Sequence, residues 1–217
     1  MTVTTPIVKP ISQMHFSPGS VVTIPNVNWQ EFEAILQELG EKRSSRVVYS
    51  HNTLEIMVPL PEQELSTDLI SDLIKMLLKF LGKRYESFRS TTFKKEGIAG
   101  VEPDACFYIK NYQQMINRRR LEPNDPPPDL AIEVDVTSQT TLAAYEALEV
   151  PELWIFTLGK LGIYLFENGK YILSETSPNF PNIPISEIVS TAVERSWQVG
   201  SFQALEEVET MINQINN

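Results

Sequence analysis

The sequence is poor in cysteine, histidine and long apolar runs, and each shortage excludes a class of protein. Among 217 residues the single cysteine, Cys106, can form neither an internal disulfide nor a cysteine-rich zinc motif. His15 and His51 have no partners at metal-ligand or catalytic spacing. No run approaches the ~20 apolar residues that span a bilayer. The N-terminus lacks the pattern of a secretory signal, so we expect a cytoplasmic protein without a membrane segment.

Common catalytic motifs are also missing. The sequence has no Gly-rich phosphate loop of the nucleotide-binding types and no Gly-x-Ser-x-Gly elbow. These absences exclude the usual sequence signatures of nucleotide-binding enzymes and serine hydrolases.

Basic residues are scarce overall but are concentrated in one part of the chain. The formal net charge is -10, from 18 Lys and Arg against 28 Asp and Glu. Residues 42–120 carry 14 of the bases and 9 acids, whereas residues 121–217 carry 3 bases and 15 acids. Contacts between basic side chains and phosphates dominate nucleic-acid affinity, so residues 42–120 are able to face a polyanion. The same composition equally fits bases on solvated surfaces.

The hydrophobic pattern predicts an α/β protein with a mixed sheet flanked by helices. Residues 1–27, rich in proline, are predicted to form an extended N-terminal arm with a short edge strand near 21–24, and residues 28–217 a single domain. Helical spacing predicts helices over 28–40, 62–81, 140–148 and 201–215. Apolar or β-branched runs predict strands at 46–49, 53–58, 88–93, 105–109, 130–136, 153–157, 162–166 and 171–173. A polar loop is expected over 112–129.

Asp104 and Glu133 stand out because each lies at or within an apolar strand. Alternation along residues 130–136 turns Glu133 and Asp135 to one face of the predicted strand. A buried carboxylate needs a partner, because desolvating it alone costs several kcal/mol. If Asp104 lies on the neighbouring strand, three carboxylates converge, and such oxygen ligands suit magnesium or manganese. The alternatives are a solvent-exposed edge strand for Glu133 and Asp135, and a turn-forming role for Asp104.

Three motifs in order along the chain resemble the Uma family of bacterial endonucleases in the PD-(D/E)XK nuclease superfamily. They are Glu-Pro-Asp at 102–104, Pro-Asp-Leu-x-x-Glu-Val at 128–134, and Tyr145 followed by Val-Pro-Glu-x-Trp at 150–154. The similarity extends from about residue 29 to residue 166. It implies a restriction endonuclease-like fold and hydrolysis of DNA phosphodiester bonds.

The resemblance also implies a metal site. The first two motifs supply the acids that bind Mg²⁺ or Mn²⁺ in the family, and these correspond to Asp104 and Glu133 here. An acid at the start of the long helix often completes the site, and either Glu62 or Glu64 matches that position. Such an enzyme has DNA as its partner and, to cut both strands with one site per chain, is most simply a homodimer.

The lysine that the superfamily normally uses is absent from both expected positions, which hold Asp135 and Thr141. A lysine near the attacking water helps to stabilise charge in the transition state. Lys94 or Lys95, shortly before Asp104, is a candidate substitute if it reaches the acids, and the alternative role for Asp135 is that of an additional metal ligand. The alternatives are a solvated lysine pair and a nuclease fold that has lost catalysis and serves as a nucleic-acid or protein-binding module.

Overall fold

Strands and helices alternate through the computed structural model, which describes residues 9–41, 43–89, 91–122, 124–135 and 138–215. The strands are β1 (Val21–Pro25), β2 (Arg46–Ser50), β3 (Thr53–Met57), β4 (Glu86–Phe88), β5 (Phe93–Lys95), β6 (Ala99–Val101), β7 (Ala105–Tyr108), β8 (Leu130–Val134), β9 (Glu152–Thr157), β10 (Lys160–Glu167) and β11 (Lys170–Ser174). The helices are α1 (Trp29–Leu39), α2 (Pro61–Phe80), α3 (Tyr112–Met115), α4 (Gln139–Leu148), α5 (Ile185–Val199) and α6 (Ser201–Ile215), and a 3-10 turn spans Ile11–Gln13.

The strands form two sheets. Sheet A is antiparallel and has the order β1-β3-β2-β6-β5. Sheet B has the order β11-β10-β9-β8-β7-β4 and is mixed, because β8 and β9 are parallel and the other pairs are antiparallel. The predicted class, an α/β fold with a mixed sheet flanked by helices, is confirmed. The predicted strands from residue 105 onward share sheet B, and the earlier hairpin strands belong to sheet A, with the chain crossing between the sheets at residues 102–104.

Helix α1 covers one face of sheet A. Asn28 accepts a hydrogen bond from the amide of Glu31, and the Glu31 carboxylate accepts one from the Asn28 amide, so the predicted helix start is a capping box. Phe32 is buried and stacks on Tyr49 with 4.6 Å between ring centroids. A Cβ on Gly100 of β6 would lie 2.8 Å from the Phe32 ring, so this close packing requires glycine.

The β2–β3 hairpin closes through two residues with left-handed backbone. His51 has φ 48° and Asn52 has φ 56°, the geometry of the two-residue turns that match strand twist. At the outer edge of the sheet, β1 pairs with β3, as expected for the strand near 21–24. Ile11 packs in the cluster under α1. The division of the chain at residue 27 stays a prediction.

Sheet B separates two hydrophobic clusters, and α4 lies between the sheets. Alternate residues of β7, β8 and β9 pack with α2, α5 and α6 on one face, including Ile132 and Trp154. The intervening residues, including Cys106 and Ala131, pack with Tyr145 of α4 on the other face. Helix α4 also contacts β2 and β6 of sheet A. Within the described ranges, no helix has both the length and the hydrophobicity to cross a membrane.

Several elements differ from the sequence-based expectation. Helix α5 was not predicted, although its buried residues recur at helical spacing. The predicted strand over 88–93 is instead the end of β4 and the start of β5, which belong to different sheets. Strand β6 was missed because it is only three residues long and contains glycine. Strand β8 ends at Val134, and residues 136 and 137 of the predicted strand lie outside the described residues.

Candidate active site

The segment Glu102-Pro103-Asp104 carries the chain from sheet A to sheet B, and its two acids bind different sheets. Glu102 accepts the Val47 backbone N–H of β2 at 3.1 Å and pairs with Arg43. Asp104 accepts the Val134 backbone N–H of β8 at 2.7 Å. Both carboxylates are buried. The motif therefore ties the two sheets together at the place where the candidate site lies.

Asp104 and Glu133 lie on neighbouring chain segments and on the same face of sheet B. Strands β7 and β8 pair with Ala105 opposite Ile132, and one further step in this register sets Asp104 opposite Glu133. Directly opposed residues have Cβ atoms about 5 Å apart. Both side chains are 2% exposed. Strand β8 has neighbours on both sides, which excludes the alternative of a solvent-exposed edge strand for Glu133.

The Arg46 guanidinium joins these acids to the protein surface. Arg46 is the first residue of β2 and forms an ion pair with Asp104, while its second terminal nitrogen donates to Glu64 Oε1 at 2.8 Å. Its charge lowers the pKa of Glu133, so it acts on both buried acids. The Arg46 side chain is 12% exposed and that of Glu64 is 42% exposed. Arg46 is not predicted from the sequence, because a single arginine at a strand start belongs to no motif.

The surroundings of Glu133 raise the pKa of its carboxyl group. Burial raises the pKa of its carboxyl to about 7, against a hydrogen bond from Tyr145 and the Arg46 charge, which both lower it. The Tyr145 hydroxyl donates to Glu133 Oε1 at 2.5 Å. Tyr145 therefore does more than fill the core, because its ring is buried and its hydroxyl orients the strand acid. The quoted family motif, which includes this tyrosine, was the available signal.

Only one of the two candidate acids at the start of α2 joins this group. Glu64 binds Arg46 and also lies 3.5 Å from Arg89, whereas Glu62 is exposed in the first turn of the helix. Throughout the described residues, no three Asp, Glu, His or Cys side chains are grouped as metal ligands. Arg46 accounts for this, because its guanidinium bridges Asp104 and Glu64.

Asp135 does not continue the alternation that placed it beside Glu133. Strand β8 ends one residue earlier, and Asp135 has a left-handed φ of 58° and is exposed. Its amide still donates to the Phe156 carbonyl at 2.8 Å. The regular alternation expected along residues 130–136 therefore stops at Val134, and Asp135 lies exposed in the bend that follows β8.

The structure places the ammonium groups of Lys94 and Lys95 with other partners. Lys94 binds the Glu33 carboxylate of α1 at 3.0 Å. Lys95 donates to the Ala147 carbonyl at 3.0 Å and to Glu149 at 3.1 Å, at the end of α4. Both lysines are exposed. The expectation that one of them approaches Asp104 and Glu133 is not met, because strand β5 faces α1 and the α4 terminus instead.

Helix α4 is anchored so that Tyr145 faces Glu133. Ser138 caps the helix by accepting the Thr140 amide at 3.1 Å, and its hydroxyl donates to Glu55 of β3 at 2.8 Å. Thr141, one of the two positions where the resemblance predicts a lysine, is buried one turn before Tyr145. This helix face therefore brings a hydroxyl donor, but no cation, to the acids.

The remaining motif acids are structural. The Asp129 carboxylate accepts the backbone N–H groups of Ile109, Lys110 and Asn111, at 2.7 to 3.2 Å. The buried Glu152 carboxylate accepts the indole N–H of Trp154 at 2.6 Å and the amide of Asn179 at 2.7 Å. Burial raises the pKa of Glu152, and these hydrogen bonds oppose that shift.

The acids suit a hard divalent cation. Apart from the Arg46 contact, Asp104 Oδ1 is buried without a hydrogen-bond partner among the described residues. Magnesium commonly binds through one or two carboxylates and keeps several waters or substrate phosphates. Asp104 and Glu133 supply two such carboxylates, so the donor set fits the cation if Arg46 yields Oδ1.

An open cleft of about 1900 Å³ is bordered by Arg46 and Glu64 of this group, whereas Asp104 and Glu133 do not line it. Its walls include Arg46, Glu64 and Glu102, and five further bases line it: Arg43, Arg89, Lys94, Arg119 and Arg120. Most of these bases are paired with acids, which are Glu102, Glu64, Asp68, Glu33 and Glu41. The cleft is therefore lined by opposed charges, with the buried acids beneath Arg46.

Comparisons with known proteins agree on one class. A solved structure described as a putative nuclease belonging to DUF820, from Anabaena variabilis ATCC 29413, is similar with a TM-score of 0.52 and 12% identity, over 82% of this chain and 99% of that one. At this identity the likeness concerns the fold. No curated protein matches the chain. The family described as "Uma2: Putative restriction endonuclease" matches residues 29–198, and the chain therefore belongs to that family.

Proposed function

We propose that this protein is an endonuclease that hydrolyses DNA phosphodiester bonds with Mg²⁺ or Mn²⁺ bound at Asp104 and Glu133. The observation that carries the proposal is the pair of buried carboxylates on one face of sheet B, opposite each other and beside a large cleft. Family membership supports the nuclease class. When bound, a divalent cation lowers the pKa of water and neutralises phosphate charge.

The protein's own residues prepare the acids for this role. The Val134 amide fixes one oxygen of Asp104, leaving Oδ1 for a cation. The Tyr145 hydroxyl fixes Oε1 of Glu133. Without metal, burial raises the pKa of Glu133 to about 7, so binding of a divalent cation to this carboxylate near neutral pH is coupled to release of a proton. Glu64 is the third acid, and it acts through Arg46.

DNA is the proposed partner, and the cleft is its proposed binding surface. Exposed ion pairs contribute only about 0 to 1 kcal/mol, so a phosphate backbone is able to replace the carboxylate partners of cleft bases such as Arg89 and Lys94. Binding through such exchanges weakens steeply with salt.

The function is tested by incubating supercoiled plasmid with the purified protein and Mn²⁺ or Mg²⁺. We expect nicked product from the native protein, loss of product with EDTA, and no product from Glu133→Ala. A matched control, Glu122→Ala, removes an exposed carboxylate of the Arg118–Glu122 pair and should cut like the native protein. Equal nicking by native protein and Glu133→Ala would assign the activity to a contaminant.

A second candidate is a nuclease fold that binds nucleic acid or protein without cutting. The observation that favours it is the absence of lysine from the two usual positions, which hold the exposed Asp135 and the buried Thr141. Plasmid retardation in gels without any nicking, over both metals, would favour this alternative.

We also propose that the protein is a homodimer, which allows two sites to cut two strands. Two aromatic side chains near the α5–α6 junction are exposed: Trp197 by 58% and Phe202 by 75%. We expect a dimer in sedimentation at micromolar concentration and dissociation by Phe202→Asp. Leu158→Asp is the control, because Leu158 is 93% exposed at a strand connection. A native monomer would refute the proposal.

A further inference from the structure

Hydrolysis of a phosphodiester places extra negative charge on the phosphate oxygens in the transition state, and a fixed cation next to the metal ligands stabilises that charge. The two lysines closest in sequence to Asp104 are bound to α1 and to the end of α4. Arg46 is different, because its ion pair is with Asp104 itself. The source of positive charge at this site is therefore a residue of β2.

We propose that Arg46 is the phosphate-binding cation of this site, and that it holds Asp104 as a counter-ion until a divalent cation takes its place. The inference rests on the proposed nuclease function and deepens it. Arg46 then has two roles. In the absence of metal it pairs with Asp104, and in the presence of metal and DNA it binds the scissile phosphate.

The two ends of the Arg46 guanidinium have different surroundings. One terminal nitrogen faces Asp104, which is 2% exposed, and the other donates to Glu64, which is 42% exposed at the cleft. A cation that binds Asp104 displaces only the inner contact. The outer contact keeps the guanidinium at the cleft wall, where Arg46 already contributes to the lining. Arginine presents several donors in one plane, so it is able to bind Glu64 and a phosphate together.

The balance of charge also supports the replacement of Arg46 by a divalent cation at Asp104. Without metal, one guanidinium compensates the buried Asp104, and removing that charge would leave the carboxylate unpaired. With a divalent cation present, the positive charge of Arg46 is no longer needed at Asp104 and becomes available to the phosphate. Arg43 offers no such exchange, because its partner Glu102 is also fixed to the Val47 amide and lies in the sheet crossover.

The test compares Arg46→Met, Arg46→Gln and Arg46→Lys with the native protein. Lys95→Met is the matched control, since it removes a charge from an exposed pair with Glu149. Mn²⁺ affinity is measured by electron paramagnetic resonance of free Mn²⁺, without DNA. Plasmid nicking is measured with saturating Mn²⁺. Circular dichroism verifies that each variant is folded, and Arg46→Gln replaces Arg46→Met if the latter is not.

We expect the uncharged Arg46 variants to bind Mn²⁺ on the order of tenfold more tightly, because no guanidinium competes for Asp104. The same variants should nick plasmid on the order of 100-fold more slowly. Arg46→Lys should recover part of the rate, and Lys95→Met should match the native protein in both assays. A structural role alone would not tighten metal binding.

Native-like Mn²⁺ affinity in the uncharged variants would overturn the inference, as would native-like nicking. A native protein that cuts no plasmid with either metal would instead refute the proposed function. In that case the Mn²⁺ titration alone tests the role of Arg46. If the uncharged Arg46 variants bind Mn²⁺ with the affinity of the native protein, Arg46 is not the counter-ion that a metal displaces from Asp104.

Discussion

Replacing Glu133 by Gln should remove part of the pH dependence of this protein's stability. Burial raises the pKa of Glu133 in the folded state to about 7 from its ordinary value of 4.5. The folded state therefore holds a proton that the unfolded chain has lost between these pH values. The resulting stabilisation is complete below pH 4.5 and is lost as the pH rises from 4.5 to 7.

The size of the effect follows from the shift. Each unit of pKa difference corresponds to about 1.4 kcal/mol, so a shift to about 7 changes the free energy of unfolding by about 3 kcal/mol. The isoelectric point of about 4.8 makes measurement near that pH impractical. Between pH 5.5 and pH 8 the native protein should lose about 2 kcal/mol more stability than Glu133→Gln.

Urea unfolding of both proteins, followed by tryptophan fluorescence in EDTA, gives this difference. Trp154 is buried, so its emission reports on loss of the core. Other titrating groups, including Glu152, are common to both proteins and cancel in the comparison. Equal pH dependence in the two proteins would refute the reasoning, because it would mean that Glu133 is ionised in the folded state throughout.

Three further outcomes are expected. Tyr145→Phe removes the hydrogen bond that lowers the pKa of Glu133, so the pKa should rise further and the stability loss should extend to higher pH in the same urea titration. Glu102→Ala should lower the free energy of unfolding by about 3 to 5 kcal/mol, because it leaves a buried guanidinium unpaired. Glu122→Ala, at an exposed pair, should cost less than about 1 kcal/mol in the same assay. Mn²⁺ at about 100 times its dissociation constant should stabilise the native protein by about 2.7 kcal/mol. It should leave the melting temperature of Asp104→Asn unchanged in calorimetry, and equal stabilisation of both would contradict the assignment of this ligand.

Local sequence patterns predict an element correctly when its bounds depend on residues that are close in the sequence. The start of α1 follows from Asn28 and Glu31, which satisfy each other's backbone groups within one turn. Helix α6 has the predicted bounds, Ser201–Ile215. Strand β8 was predicted because the apolar residues 130–132 and Val134 follow a proline-rich loop, and the structure has the strand over Leu130–Val134. Such signals need no knowledge of the rest of the chain.

Strand pairing was beyond the reach of these patterns. The pattern of residues 88–93 predicts a single strand. In the structure, however, β4 pairs with β7 in sheet B and β5 pairs with β6 in sheet A. Which partner a short strand takes depends on packing between distant segments. The same limit affects Asp135, because the left-handed backbone that ends β8 changes the direction expected from alternation.

The sequence by itself determined the α/β class, the family resemblance and the two acids, Asp104 and Glu133, because motifs of contiguous residues carry that information. Only the tertiary structure decided what surrounds those acids. It pairs Asp104 with Arg46, 58 positions away in the numbering, chooses Glu64 over Glu62, and directs Lys94 to α1. Ion pairs between segments form when two sheets and their helices meet. The charge at the site therefore depends on the packing of the whole domain and has no signature in any single stretch of sequence.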